Sequence, residues 1–250
     1  MKIHKLFSDR LGRRGIAAVE FAIIVPVLLV MFIGTVEVLT IYRAEAKLNA
    51  LAMNVAQMVS VSESVSLATA TNTGTAPTVT SLQDICQGAA YGMAPFPAAG
   101  VKISIASVTL EPSALNSNHP ASTAAFDKWE ADSTVQTNTT CSTPTAGTTI
   151  LNGTGASAPI SIVTANASAG TTIGTGMLEN PCDNIIIVQA SVVYPGITGL
   201  ILKTRPTLTQ TAYARWTNAS TLTQLLCANC QLTPTTPLDY CNSSNTTATN

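Results

Sequence analysis

One glutamate, Glu20, lies inside the longest apolar run of this chain, five residues after a glycine that follows two arginines. The run covers residues 15–36, and Glu20 is its only charged residue. A carboxylate in a hydrocarbon layer costs on the order of 3 kcal/mol. Glu20 therefore predicts either an ion-pair partner within the layer or a side chain that reaches the interface near Arg14. The residues alone leave both interpretations open.

Six cysteines are the second group that could do chemistry, and all of them follow the apolar run. An even number of cysteines on one side of a membrane segment predicts disulfides, with the pairing left open. The Cys227-x-x-Cys230 spacing also allows a redox pair or half of a zinc site. A redox pair would lie at the start of a helix in a βαβ unit, and a zinc site would need two further reduced thiolates. Disulfides are the favoured interpretation for the whole set: Cys86, Cys141, Cys182, Cys227, Cys230 and Cys241.

The apolar run is long enough to position Glu20 within a membrane. A helix over residues 15–36 is about 33 Å long at about 1.5 Å per residue, and a hydrocarbon core is about 30 Å thick. Five cations precede the run, so the positive-inside rule predicts a cytoplasmic N-terminus and an external chain beyond about Ile41. The alternative is a removable signal peptide with a cleavage site at residues 44–46, but the run is longer than such segments usually are.

The helical pattern continues past the membrane segment. Apolar residues three and four positions apart follow one another from Ile41 to Met58, and neither Gly nor Pro occurs between Thr35 and Ser60. This spacing predicts one helix over about residues 12–61, whose outer half is amphipathic.

Further along the chain, three runs alternate or are rich in β-branched residues. They predict strands over residues 101–110, 184–194 and 206–216, with the last two as an antiparallel pair, and residues 160–163 as a weaker candidate. We expect an antiparallel sheet of about three to five strands. Polar segments at 69–80 and 134–155 predict loops. Residues 124–131, which carry Asp127 and Glu130, predict a short solvated helix.

The residues around Glu20 resemble the processing site of type IV prepilins. More narrowly, they resemble the TadE-like family, minor pseudopilins of tight-adherence (Flp-type) pilus systems. The resemblance covers about residues 12–58. It rests on the sequence RGIAAVEFA from Arg14, a proline in the aliphatic run at Pro26, and then Gly34 and Glu37.

This resemblance implies how the segment is used. A prepilin peptidase in the membrane would recognise Arg13 and Arg14 and cut between Gly15 and Ile16. The new amino group of Ile16 would then pair with Glu20 of a neighbouring subunit. The aromatic position after the glutamate is Phe21 here, where the family often has tyrosine.

The composition indicates a structural role. Charged residues make up 10% of the chain, the net charge is −1 and only two histidines occur. The net charge provides no global basic field that could hold nucleic acid, and no catalytic motif is present. We therefore predict no enzyme, no cofactor and no metal site. The expected partners are the lipid bilayer, the peptidase and other pilin subunits.

Together these observations predict an α+β, type IV pilin-like architecture: a long N-terminal transmembrane and amphipathic helix, followed by an extracytoplasmic antiparallel-sheet head with disulfides. The predicted boundaries are a basic leader over 1–15, a helix over 16–61, a head over 62–241 and a flexible tail over 242–250. The predicted function is a pseudopilin-like minor pilin or assembly factor in the bacterial inner membrane. The alternative is an uncleaved, membrane-anchored periplasmic binding or adhesion domain.

Overall fold

The structure is a computed structural model that describes residues 3–62, 64–67, 79–112, 123–137, 140–146, 150, 183–194, 196, 205–217, 225–228 and 230. The predicted strand at 160–163 and the predicted tail at 242–250 lie outside these residues. The described chain forms two compact units. Residues up to 43, with those from 194 to 205, make the first unit, and residues 44–193 with those from 206 onward make the second.

A single long helix, α1 (Ile3–Ser60), opens the chain. Its end agrees with the predicted end, whereas its start lies earlier than the predicted residue 12. Residues 3–11 contain neither Gly nor Pro, so nothing in the leader stops helical hydrogen bonding before Gly12. At the other end, the Thr217 backbone N–H donates to the Ser60 carbonyl at 3.0 Å. This bond satisfies one of the carbonyls that a helix end leaves open.

The other described elements are one further helix, α2 (Leu82–Gly92), and strands in two sheets. The larger sheet is antiparallel and has five strands in the order β5-β4-β3-β6-β7. Its strands are β3 (Lys102–Pro112), β4 (Thr123–Thr134), β5 (Thr145–Ala146), β6 (Asn184–Val193) and β7 (Thr207–Arg215). The smaller sheet is parallel, with β1 (Ser64–Ser66) between β2 (Val79–Ser81) and β8 (Leu226–Ala228).

These elements confirm the α+β class and the predicted pairing of β6 with β7. The parallel sheet was not predicted, because strands of three residues carry too little periodicity to be distinguished from loops. Helix α2 was also missed, although it had a signal. Ser81 and Asp84 are spaced as in a capping box, and the Ser81 side chain accepts from the Asp84 backbone N–H at 3.3 Å.

The core of the second unit lies between the outer part of α1, α2 and one face of the larger sheet. Leu48, Ala52 and Val59 of α1 are each fully buried and belong to the same apolar cluster as Ile103 and Ile105 of β3. Leu48, Leu51 and Val55 of the predicted amphipathic stripe lie in this cluster, so this part of the stripe packs on the core, whereas its last residue, Met58, is 52% exposed.

The opposite face of the larger sheet is also buried. Ala106 and Val108 of β3 and Ile185 and Ile187 of β6 are each 0% exposed, and none belongs to the cluster under the helices. Burial on both faces explains why β6 begins as a continuous β-branched run rather than an alternating one.

The prediction of a solvated helix over residues 124–131 is wrong. The segment is part of β4, where Trp129 is 0% exposed and Asp127 and Glu130 are each 1% exposed. A spacing of three between two acidic residues is typical of a helix face. Here the same spacing arises because the strand is irregular. Because both faces of the sheet are buried, polar and apolar residues do not alternate along the strand, and the sequence therefore carries no strand pattern.

Candidate functional site

An exposed apolar surface on α1 is the main feature that the structure describes in the first unit. Large side chains are exposed all round the helix between residues 19 and 32, including Val19 at 61%, Phe21 at 69% and Phe32 at 69%. Within α1, residues Ala18–Ser60 contain a window with a mean hydropathy of 2.6, of which 6% is buried. A helix that is apolar on every side is typical of a membrane span. Among the described residues it is the one helix long and apolar enough to cross a membrane.

Glu20 lies on this apolar surface and is exposed. No side chain in the described part of the chain forms a hydrogen bond or an ion pair with its carboxylate. Its neighbours Val19 and Phe21 are exposed hydrophobic residues. An acidic side chain in this setting has to find its partner in water, in a headgroup or on another molecule.

The predicted processing site lies within the helix. Backbone hydrogen bonding of α1 runs through Gly15 and Ile16 without interruption. The side chains of Arg13, Arg14 and Ile16 lie outside those that the structure describes. Pro26 is also inside the helix, where it removes one donor, a defect that membrane helices tolerate.

A second acidic residue of α1 has a different environment. Glu37 is 2% exposed, in contrast to Glu20 on the same helix. One turn further, the Tyr194 hydroxyl donates to Thr40 Oγ1 at 2.9 Å. Both Glu37 and Tyr194 belong to the first unit. Glu37 is part of the family-like pattern in the sequence, but nothing in the sequence predicts that its side chain is buried.

The cysteines of the second unit form two disulfides among the described residues. Cys86 of α2 is joined to Cys141, with 6.2 Å between the Cα atoms. Cys227 is joined to Cys230, with 5.4 Å between the Cα atoms. Cys182 and Cys241 lie outside the described residues. Cys227 and Cys230 are 5% and 2% exposed, which leaves their sulfurs little access to a redox partner.

Asp127 of β4 lies beside Glu130, and its pKa departs far from the ordinary value of an aspartate. The Ile150 backbone N–H donates to Glu130 Oε2 at 2.9 Å. Burial, together with the adjacent Glu130 carboxyl, raises the pKa of Asp127 to about 9, and the Lys128 charge opposes this rise. No group of three His, Cys, Asp or Glu side chains in the described residues is arranged to hold a metal. His119 lies outside them.

The length of α1 and its exposed apolar surface make the helix of the first unit suited to a single membrane crossing. Residues 15–57 match the TadE-like protein family, which confirms the resemblance seen in the sequence. The matched segment contains Gly15, Ile16, Glu20 and Glu37. No curated protein and no solved structure matches the chain.

Proposed function

We propose that this protein is a pseudopilin-like component of a tight-adherence pilus, either a minor pilin or an assembly factor, and that it acts without catalysis. The observation that carries the proposal is the match of residues 15–57 to the TadE-like family. That segment places Glu20 on an exposed apolar helix. In this proposal the helix crosses the bacterial inner membrane once, with the leader in the cytoplasm and the head on the outer side.

The mechanism depends on the carboxylate of Glu20, which has no hydrogen-bond or ion-pair partner among the residues that the structure describes. Leaving it unpaired in hydrocarbon costs on the order of 3 kcal/mol. Cleavage between Gly15 and Ile16 would create an amino group about 6 Å from Glu20 along the helix axis, at about 1.5 Å per residue. When helices of two subunits pack side by side, the amine of one can neutralise the carboxylate of the next. The pair then sets the axial position of one subunit against another, since a misplaced subunit leaves both charges unpaired in a dry interface.

The remaining parts of the chain take supporting roles in this proposal. Arg13 and Arg14 precede the cleavage site and would be read by a prepilin peptidase. Residues 62–241 would form the exposed head, which offers its surface to other pilus components. The leader over 1–15 would be removed and residues 242–250 would remain a tail.

The test is a Glu20→Gln substitution, which keeps the size of the side chain and removes its charge. We expect the variant to accumulate in the membrane at the wild-type level and to give few or no pili by electron microscopy. The matched control is Glu45→Gln, on the same helix but in the second unit, where Glu45 accepts a hydrogen bond from Gln210 at 2.8 Å. The control should assemble normally. Normal piliation with Glu20→Gln would contradict the proposed ion pair.

Processing is tested separately by N-terminal sequencing and intact mass of the membrane-extracted protein. The proposal expects Ile16 as the first residue. Retention of Met1 in assembled material would contradict cleavage and favour the uncleaved, membrane-anchored binding or adhesion domain.

A further inference from the structure

An irregularity in the larger sheet brings two acidic side chains onto the same face. Ser107 of β3 pairs with Trp129, but the next residue, Val108, pairs with Asp127, so Lys128 is an extra residue in β4. Without this bulge, Asp127 and Glu130 would point to opposite faces, because side chains alternate along a strand. With it, they lie beside Val108 and Ala106 respectively, on the face away from the helices.

Both carboxyls are withdrawn from water. Asp127 and Glu130 are each 1% exposed. Within the described chain, no N–H or O–H group donates a hydrogen bond to either oxygen of Asp127. Its polar neighbour is the Glu130 carboxyl. Two carboxyl groups can bond to each other only when one of them carries a proton.

We propose that Asp127 and Glu130 share one proton in the folded head, and that this shared proton forms a pH-sensitive latch on the outer face of the sheet. Glu130 Oε2 also accepts from the backbone N–H of Ile150, which is itself 0% exposed, so the pair is tied to a second buried residue. Loss of the proton leaves two adjacent negative charges in an apolar layer, which weakens this contact and lowers the stability of the head.

Among the residues that the structure describes, the charged side chains near the pair come from β4 and β3. On β4, Lys128 is the neighbouring cation, and Asp132 is paired with Lys102 of β3 at 3.1 Å. Nearest the pair on this face, Ala106 and Val108 of β3 and Ile185 and Ile187 of β6 carry no charge, and Lys102 lies four residues before Ala106. Lys128 therefore supplies partial compensation, and burial in apolar surroundings dominates.

The direction of the pH dependence follows from the raised pKa of Asp127. In the unfolded chain Asp127 loses its proton near pH 4, whereas in the folded head the pKa is about 9. Between these values the folded state holds a proton that the unfolded state has released. The head is therefore most stable at acidic pH and loses stability as the pH rises through this window, with an upper limit of about tenfold in the unfolding constant per pH unit.

The experiment is urea unfolding of the full-length protein in detergent micelles between pH 5 and pH 8.5. The two tryptophans, Trp129 and Trp216, are 0% and 9% exposed and report unfolding of the head by fluorescence. We expect the unfolding constant of the wild type to rise at least about tenfold more than that of Asp127→Asn over this range. In that variant the Asn amide donates to Glu130 as the shared proton does. Glu130→Gln should behave in the same way, because it keeps an acceptor for Ile150.

The matched control is Asp132→Asn, the same substitution on the same strand, which should keep the wild-type pH dependence. A pH dependence unchanged in both Asp127→Asn and Glu130→Gln would overturn the latch. A different outcome would also overturn it: if Ca²⁺ at pH 8 stabilises the wild type but not Asp127→Asn, then a cation rather than a proton joins the pair.

Discussion

The two disulfides that the structure describes in the head should differ in their contribution to stability. Cys86–Cys141 closes a loop with a sequence separation of 55, whereas Cys227–Cys230 closes one with a separation of 3. The perturbation is replacement of each pair by alanine in turn, Cys86→Ala with Cys141→Ala and Cys227→Ala with Cys230→Ala. Cys182 and Cys241 are left in place in both variants.

The expected magnitudes follow from the entropy that each bridge removes from the unfolded chain. The loop-closure relation gives about 4 kcal/mol for the long loop and about 1.6 kcal/mol for the short one at 25 °C. Because three of the four cysteines are almost fully buried, each variant also loses some packing, which is similar for the two pairs. The difference of roughly 2.5 kcal/mol between the pairs is therefore the quantity to measure.

The assay is urea unfolding of the head at constant pH, followed by tryptophan fluorescence. Each variant is compared with the wild type, and the slope against urea is checked to be unchanged so that the midpoints report stability. We expect the midpoint of the long-loop variant to lie well below that of the short-loop variant. If removal of Cys227–Cys230 costs as much as removal of Cys86–Cys141, loop closure does not explain the role of these bridges.

Two further predictions concern single residues. Trp129→Phe should lower the free energy of unfolding by about 1 to 3 kcal/mol, because the buried Nε1–H donates to the Leu225 carbonyl at 2.8 Å and phenylalanine leaves that carbonyl unpaired. Urea unfolding followed by the fluorescence of Trp216 measures this free energy of unfolding. A decrease of less than about 0.5 kcal/mol would contradict the importance of this hydrogen bond. Gly15→Ala should slow processing about fivefold, since alanine stabilises a helix by about 1 kcal/mol relative to glycine and a peptidase must unwind α1 at this position. Pulse-labelling of precursor and mature forms gives the rate, and equal or faster cleavage would contradict this reasoning.

The parts of the fold that could be predicted are those with a long, regular pattern. The apolar run and the stripe beyond it predicted α1 to within one residue at its end, since every turn repeats the same signal. Strands β3 and β7 were predicted close to their observed bounds because apolar and polar residues alternate along them. Strand β6 was predicted because a β-branched run ends at a turn signal. The family resemblance was carried by Gly15, Ile16 and Glu20, whose spacing is local and needs no tertiary information.

The parts that could not be predicted depend on contacts between distant segments. The strand around Trp129 was mistaken for a helix because its charged residues are buried by elements far away in the sequence. The bulge at Lys128 follows from pairing with β3, which no local pattern records. The buried network in which Asn184 donates to Ser107 and Thr109 at 2.9 Å and 2.6 Å also joins β6 to β3 through side chains that look like ordinary surface residues.

The small parallel sheet imposes an order of events on the synthesis of this protein. Its central strand β1 directly follows the long helix, but its neighbour β8 comes from residues 226–228. The acceptor for the Trp129 indole, the Leu225 carbonyl, arrives with that same late segment. If the head is delivered across a membrane from its N-terminal end, its core stays unfinished until almost the whole chain has emerged. Any factor that meets the head before residues 225–228 have emerged would therefore meet a core that still lacks β8.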